Sequence, residues 1–190
     1  MTALPDWMVL SPEGLSAEAY EGLPEDISRR IEIVDGAIVV NAAPRRAHQI
    51  LGRRLANAIE YVCGDHLAVS TDIDLRLRDI PLLNRRPDIA VYDASLPDEE
   101  TLRPGHCLMV VEVMSPASVT ADQKDKPAEY AAAGIKHYWR VELDDHDHGP
   151  AVFRYRLDPT TGLYASAGVD TGKLKVSAPL SLEIDLIELI

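Results

Sequence analysis

A mixed α/β (α+β) fold, with helices interleaved among the strands of a largely mixed sheet, follows from three patterns in this sequence. Two short apolar runs, 31–34 and 37–40, flank Asp35-Gly36, a pair suited to the positive φ angles of a tight hairpin turn. Residues 47–62 place Ile50, Leu51, Leu55, Ala58, Ile59 and Val62 at the spacing of one helical face. Residues 87–92 (PDIAVY) and 107–113 (CLMVVEV) are strand-like runs joined by a polar loop containing Pro and Gly. No internal repeat, low-complexity tract or dividing linker interrupts the 190 residues, which are expected to form one domain around one core.

The remaining elements follow in order. Residues 11–26 predict a short helix with Pro and Gly at its margins. A turn over 41–44 precedes the long helix. Alternation of Ile73, Leu75 and Leu77 with Asp72, Asp74 and Arg76 predicts one half-exposed strand over 69–77. Beyond the two carboxylate-bearing strands, 115–118 reads as a turn, and a helix ends near Ala133 with Gly134 as its stop. Strands are expected at 137–143, 151–157, 164–167 and in a tail over 186–190. Cys63 and Cys107 read as small buried hydrophobes, Tyr138-Trp139 as core, and 144–149 (DDHDHG) as a solvated loop.

The composition limits the classes of function. A net charge of −12, from 31 acidic against 19 basic residues, argues against strong non-specific nucleic-acid binding, which rests on Lys and Arg contacts to phosphate. Arginine doublets at 29–30, 45–46, 53–54 and 85–86 supply local positive charge within that acidic background. No apolar stretch is long enough to span a bilayer and no secretory leader pattern opens the chain, so a cytoplasmic location without a membrane partner is expected.

The residues that carry chemistry lie on the paired strands. Antiparallel pairing about the loop centre sets Asp88 opposite Glu112, Ala90 opposite Val110 and Tyr92 opposite Leu108. Asp88 and Glu112 then share one face, while Ile89, Val91, Val111 and Val113 share the other. Two opposed carboxylates in apolar strands call for something positive between them, and a divalent cation is the natural candidate. Downstream, Asp122, Lys126 and Tyr130 recur every four residues, and would share a face of a continuous helix. Pro127 complicates that helix. Thr120 and Gln123 could cap an early start with a kink at Pro127, or the helix starts at Asp125 with proline in its first turn. In the second case Asp122 lies in a loop and Lys124 rivals Lys126.

Strand-opening Pro87-Asp88, then Glu112-Val113-x-Ser115-Pro116, then Asp122-x-x-x-Lys126-x-x-x-Tyr130 and Gly134-x-x-x-Tyr138-Trp139 resemble the Uma-two (Uma2) family of restriction-endonuclease-like proteins within the PD-(D/E)XK superfamily. Glu32 with Asp35-Gly36, and Pro44 with His48, are similar to that family's upstream hairpin and helix start. The resemblance runs from about residue 10 to 157. It implies a restriction-endonuclease-like core, a mixed central sheet flanked by helices with Mg²⁺ or Mn²⁺ at one edge. It further implies Asp88, Glu112 and the Val113 main-chain carbonyl as metal ligands. The superfamily's lysine two residues beyond the glutamate is replaced here by Met114, and the carry-over candidate is Lys126 on the following helix. Glu32, His48, Asp122 and Tyr130 are the implied accessory residues.

The leading functional expectation is a metal-dependent endonuclease acting on DNA, with a homodimer plausible because cutting two strands takes two sites. The alternative is a catalytically silent domain of the same fold that serves as an interaction or regulatory module. A third reading, a hydrolase of another phosphoester, shares the site and differs in substrate.

Overall fold

The computed structural model describes residues 14–40, 44–114, 124–143 and 149–190. The hairpin forms as its turn chemistry dictates. β1 (Ile31–Val34) and β2 (Ala37–Val40) pair antiparallel, and Asp35 and Gly36 have φ of 51° and 81°, the left-handed pair of a tight hairpin. The amphipathic run forms α3 (Arg46–Cys63), whose Leu51, Leu55 and Ile59 are fully buried.

Upstream of the hairpin, the single helix expected over 11–26 is two short helices, α1 (Ala17–Glu21) and α2 (Glu25–Ser28), as far as that span is described. Pro24 supplies the break, because it cannot donate the hydrogen bond a continuous helix requires there.

The strand expected over 69–77 is also divided. β3 (Leu67–Thr71) and β4 (Leu75–Arg78) belong to different sheets, and the chain turns between them at Asp72, a non-glycine residue with φ 52°. The alternation of residue types continues across this turn, which hides it from a periodicity reading. β5 (Leu83–Arg85) was not anticipated; all three of its residues are buried, so it lacks the alternation of a half-exposed strand.

β6 (Ile89–Asp93) and β7 (Cys107–Val113) pair antiparallel, with Ala90 opposite Val110 as expected. A bulge between Val91 and Tyr92 sets Tyr92 against Cys107, not Leu108. After the undescribed residues 115–123 comes α4 (Lys126–Ala132), with Pro127 in its first turn. Proline is tolerated there because that N–H has no intrahelical partner. The proposed early cap at Thr120 and the predicted turn at 115–118 lie outside the described residues, as does the 144–148 segment.

β8 (His137–Leu143) runs parallel to β7, and β9 (Pro150–Leu157) and β10 (Tyr164–Thr171) continue antiparallel. A further hairpin, β11 (Lys173–Val176) and β12 (Leu182–Asp185), precedes a 3-10 helix, Leu186–Leu189. That helix replaces the tail strand expected over 186–190. Asp185 caps it by accepting from the Ile187 N–H at 2.9 Å.

The central sheet has the order β10-β9-β8-β7-β6-β3, and a smaller sheet the order β2-β1-β5-β4. The central sheet is mixed, antiparallel apart from the β7–β8 pair, and α4 lies between those two strands in the chain. Its two faces are both covered. Ile89, Val91, Val111, Val113 and Trp139 pack with α3, and Ala90, Val110 and Tyr138 pack with Tyr130 of α4. Glu112 lies one residue from Val111 and Val113, which sends it to the α4 face. Leu55→Ala in α3 should cost about 2–5 kcal/mol of stability, read from the midpoint of a chemical-denaturation curve without a change in its slope.

Candidate active site

Glu112 stands near the end of β7 and is 2% exposed. An unpaired carboxylate at that depth would lose its hydration with nothing in return. The chain answers from two positions on α4. The Lys126 ammonium donates to Glu112 Oε2 at 3.0 Å, and the Tyr130 hydroxyl donates to Oε1 at 2.7 Å. Lys126 and Tyr130 are one helical turn apart, so they reach the same carboxylate from one face. Burial and the Glu112 charge hold the Tyr130 phenol well above its ordinary pKa, which keeps it a hydrogen-bond donor. Lys124, the rival lysine, is exposed, whereas Lys126 is buried.

A second buried carboxylate completes the group. Glu32 of β1 is also 2% exposed. It is not neutralised by Arg29 or Arg30: Arg29 pairs with Glu25 instead. Glu32 Oε1 accepts from the Arg86 N–H at 2.9 Å and lies 3.6 Å from Lys126 Nζ, and Oε2 accepts from Arg85 at 3.1 Å. Arg85 also holds Glu129 of α4 through two hydrogen bonds, at 2.6 and 2.8 Å. A chain of alternating charge thus runs Glu112–Lys126–Glu32–Arg85–Glu129 and ties the small sheet to α4 and β7.

Asp88 precedes β6 and faces a different set of partners. Its Oδ2 accepts from the Val113 N–H at 2.7 Å and lies 3.2 Å from His48 Nε2. Asp88 and Glu112 therefore sit at neighbouring strand ends, each held by its own donors. His48, in the first turn of α3, also bonds to the Val113 main chain. Burial by itself would lower the His48 pKa; the Asp88 carboxylate and the Val113 bond outweigh it and raise the value above 6.5.

Asp72, Arg85 and Arg86 reach this region without having been singled out as site residues. Burial, then the Asp88 charge, hold the Asp72 carboxyl above its usual range, with Arg86, His48 and Lys126 acting oppositely. Arg86 secures the turn by donating to the Asp72 carbonyl and the Asp74 carboxylate. Asp74 in turn accepts from the Tyr20 hydroxyl and Asn84. Proximity of Arg85-Arg86 to Pro87-Asp88 was visible in the sequence; the burial of Arg85 was not. Asp122 lies outside the described residues.

The donor set suits a hard cation, since the Asp88 and Glu112 carboxylates and the Val113 carbonyl are all oxygen donors. Among the described residues, no three His, Cys, Asp or Glu side chains are grouped closely enough to hold a metal by themselves.

Lys126→Met, which leaves Glu32 and Glu112 without their shared ammonium, should destabilise the fold by about 3–5 kcal/mol, measured by denaturation at neutral pH. The His48–Asp88 pair adds stability that is fully present below the unfolded-state histidine pKa and is lost as pH rises through the higher folded value. Titration of the His48 ring by NMR should give a pKa above 6.5, and Asp88→Asn should lower it.

The comparisons with known proteins agree with this fold. The chain shares 16% identity with a solved structure described as "a putative nuclease belonging to DUF820" from Anabaena variabilis, with a TM-score of 0.67 over 92% of this chain and 98% of that one. At that identity the likeness shows the fold, which is restriction-endonuclease-like. No curated protein matches the chain. The family model described as "Putative restriction endonuclease" matches residues 17–187, and the chain belongs to that family, Uma2.

Proposed function

We infer that this protein is a Mg²⁺- or Mn²⁺-dependent endonuclease that hydrolyses phosphodiester bonds in DNA. The observation that carries the reading is the convergence of Lys126 and Tyr130 on the buried Glu112 beside Asp88. Membership of the family described as "Putative restriction endonuclease", and likeness to a structure described as "a putative nuclease", support the same class.

Asp88, Glu112 and the Val113 carbonyl would hold the metal, which when bound lowers the pKa of a water and offsets charge on the scissile phosphate. Lys126 brings a positive charge to the ligand carboxylate, where it can orient an attacking water or stabilise an oxyanion. Glu32 restrains that ammonium from its other side. Tyr130 fixes the orientation of Glu112 by donating to Oε1. His48 orients Asp88 through the contact at 3.2 Å. Cleavage of both strands of a duplex would take two such sites, which a homodimer supplies.

One observation favours the silent-module reading: both Glu112 oxygens are taken by side-chain donors. Nicking of supercoiled plasmid at low salt separates the two. With Mg²⁺ or Mn²⁺ the native protein should nick, and Asp88→Asn and Glu112→Gln should each slow it by about a hundredfold or more, the loss of a few kcal/mol of transition-state stabilisation. Full activity in either folded variant would reject this site, and an inert native protein would favour the module.

A further inference from the structure

On the α3 face of the central sheet, β8 and β9 contribute a second group of polar residues that the proposed active site does not use. His137 and Trp139 share this face because they alternate with Tyr138, which packs on the other side. Arg156 lies directly opposite His137, and Arg154 opposite Trp139. Lys175 of β11 joins them along a cleft of about 400 Å³, within the size range of small-ligand sites. Glu112, by contrast, belongs to the α4 face and to the other end of the β7–β8 pair.

The charge of this cleft is opposite to that of the protein. Among the described residues its lining contains His137, Arg154, Arg156 and Lys175 and no Asp or Glu, in a chain with 31 acidic and 19 basic residues. Arg156 is exposed, and among the described residues no acidic group is ion-paired with it. Arg154 is anchored from behind, with its Nε donating to Asp170 Oδ2 at 2.7 Å. Across from this arginine, at the bulge after Ser166, Gly168 has φ 138°, and a Cβ there would lie 2.6 Å from Arg154 Nη2. Lys175 pairs with Glu183 at 2.7 Å, but both side chains are mostly exposed, so the pair holds the ammonium weakly. Burial, then the charges of Arg156 and Lys136, lower the His137 pKa.

We propose that this cleft is a binding site for a phosphate group, free or carried as a monoester, with Arg154 and Arg156 as its principal ligands and Lys175 at its rim. A guanidinium presents a planar fork of donors that matches phosphate oxygens. An arginine already fixed by Asp170 loses less side-chain freedom when such a ligand binds. The volume admits more than the bare ion, so inorganic phosphate and a nucleotide carrying a terminal phosphate are the two sources of this chemistry. The proposal does not depend on the nuclease reading, because none of the residues assigned to that site lines the cleft.

The test is an amide NMR titration of the full chain, at fixed ionic strength, with inorganic phosphate, thymidine 5′-monophosphate and thymidine. Saturable shifts at His137, Arg154 and Arg156 are expected with the two phosphates and not with thymidine. Tighter binding of the monophosphate than of inorganic phosphate would identify a nucleotide site, and equal binding a phosphate site. Arg156→Glu, an exposed substitution, should weaken either ligand at least tenfold, and Lys175→Glu should weaken it to a lesser degree, with thermal midpoints unchanged. Shifts absent from the cleft, equal shifts with thymidine, or undiminished affinity in folded Arg156→Glu would overturn the proposal.

Discussion

Neutralisation of Glu112 is the constraint around which the rest of the site is arranged. A strand at the centre of the sheet, covered on both faces, has no water with which to solvate a carboxylate. α4 resolves this by presenting Lys126 and Tyr130 one turn apart, each within hydrogen-bonding distance of a different oxygen. The lysine then needs restraint of its own, and Glu32 of the small sheet provides it at 3.6 Å. Glu32 brings in Arg85, and Arg85 returns to α4 through Glu129. One charge in β7 thereby fixes the relation among α4, the hairpin and β5. A buried network of this kind costs much to break and contributes little over a well-packed apolar alternative.

The same arrangement bears on how an acidic protein would approach DNA. A net charge of −12 opposes association at long range. The cations of the proposed site act locally: Lys126 is paired with Glu112 and Arg85 with Glu129. A divalent ion held by Asp88 and Glu112 would add positive charge at these strand ends. Binding of metal and of nucleic acid are accordingly expected to be coupled.

Elements with a single physical period were legible from sequence. The Asp35-Gly36 turn, the 3.6-residue stripe of α3 and the apolar runs of β6 and β7 each have one strong local signal. The adjacent strand ends of Asp88 and Glu112 followed from loop geometry, although the bulge at Tyr92 did not, because a bulge carries no mark in residue type here. What escaped was tertiary in origin. Asp72 turns the chain in a left-handed conformation while apolar alternation continues past it. Arg85 resembles any surface arginine until β5 is buried beneath the smaller sheet's partners. The division at Pro24 was within reach, since proline marks a helix boundary by its missing donor. Pro127 left two helix starts open: it stands in the first turn of α4, where proline is tolerated, and the early cap at Thr120 lies outside the described residues.

Metal binding at Asp88 and Glu112 is the central claim, and titration calorimetry with Mn²⁺ and Mg²⁺ addresses it without requiring a substrate. The native chain should bind either ion in a saturable manner, and a folded Asp88→Asn, Glu112→Gln double variant should not. Binding that survives unchanged in the double variant, or no binding by the native chain, would contradict the assignment of these carboxylates as metal ligands.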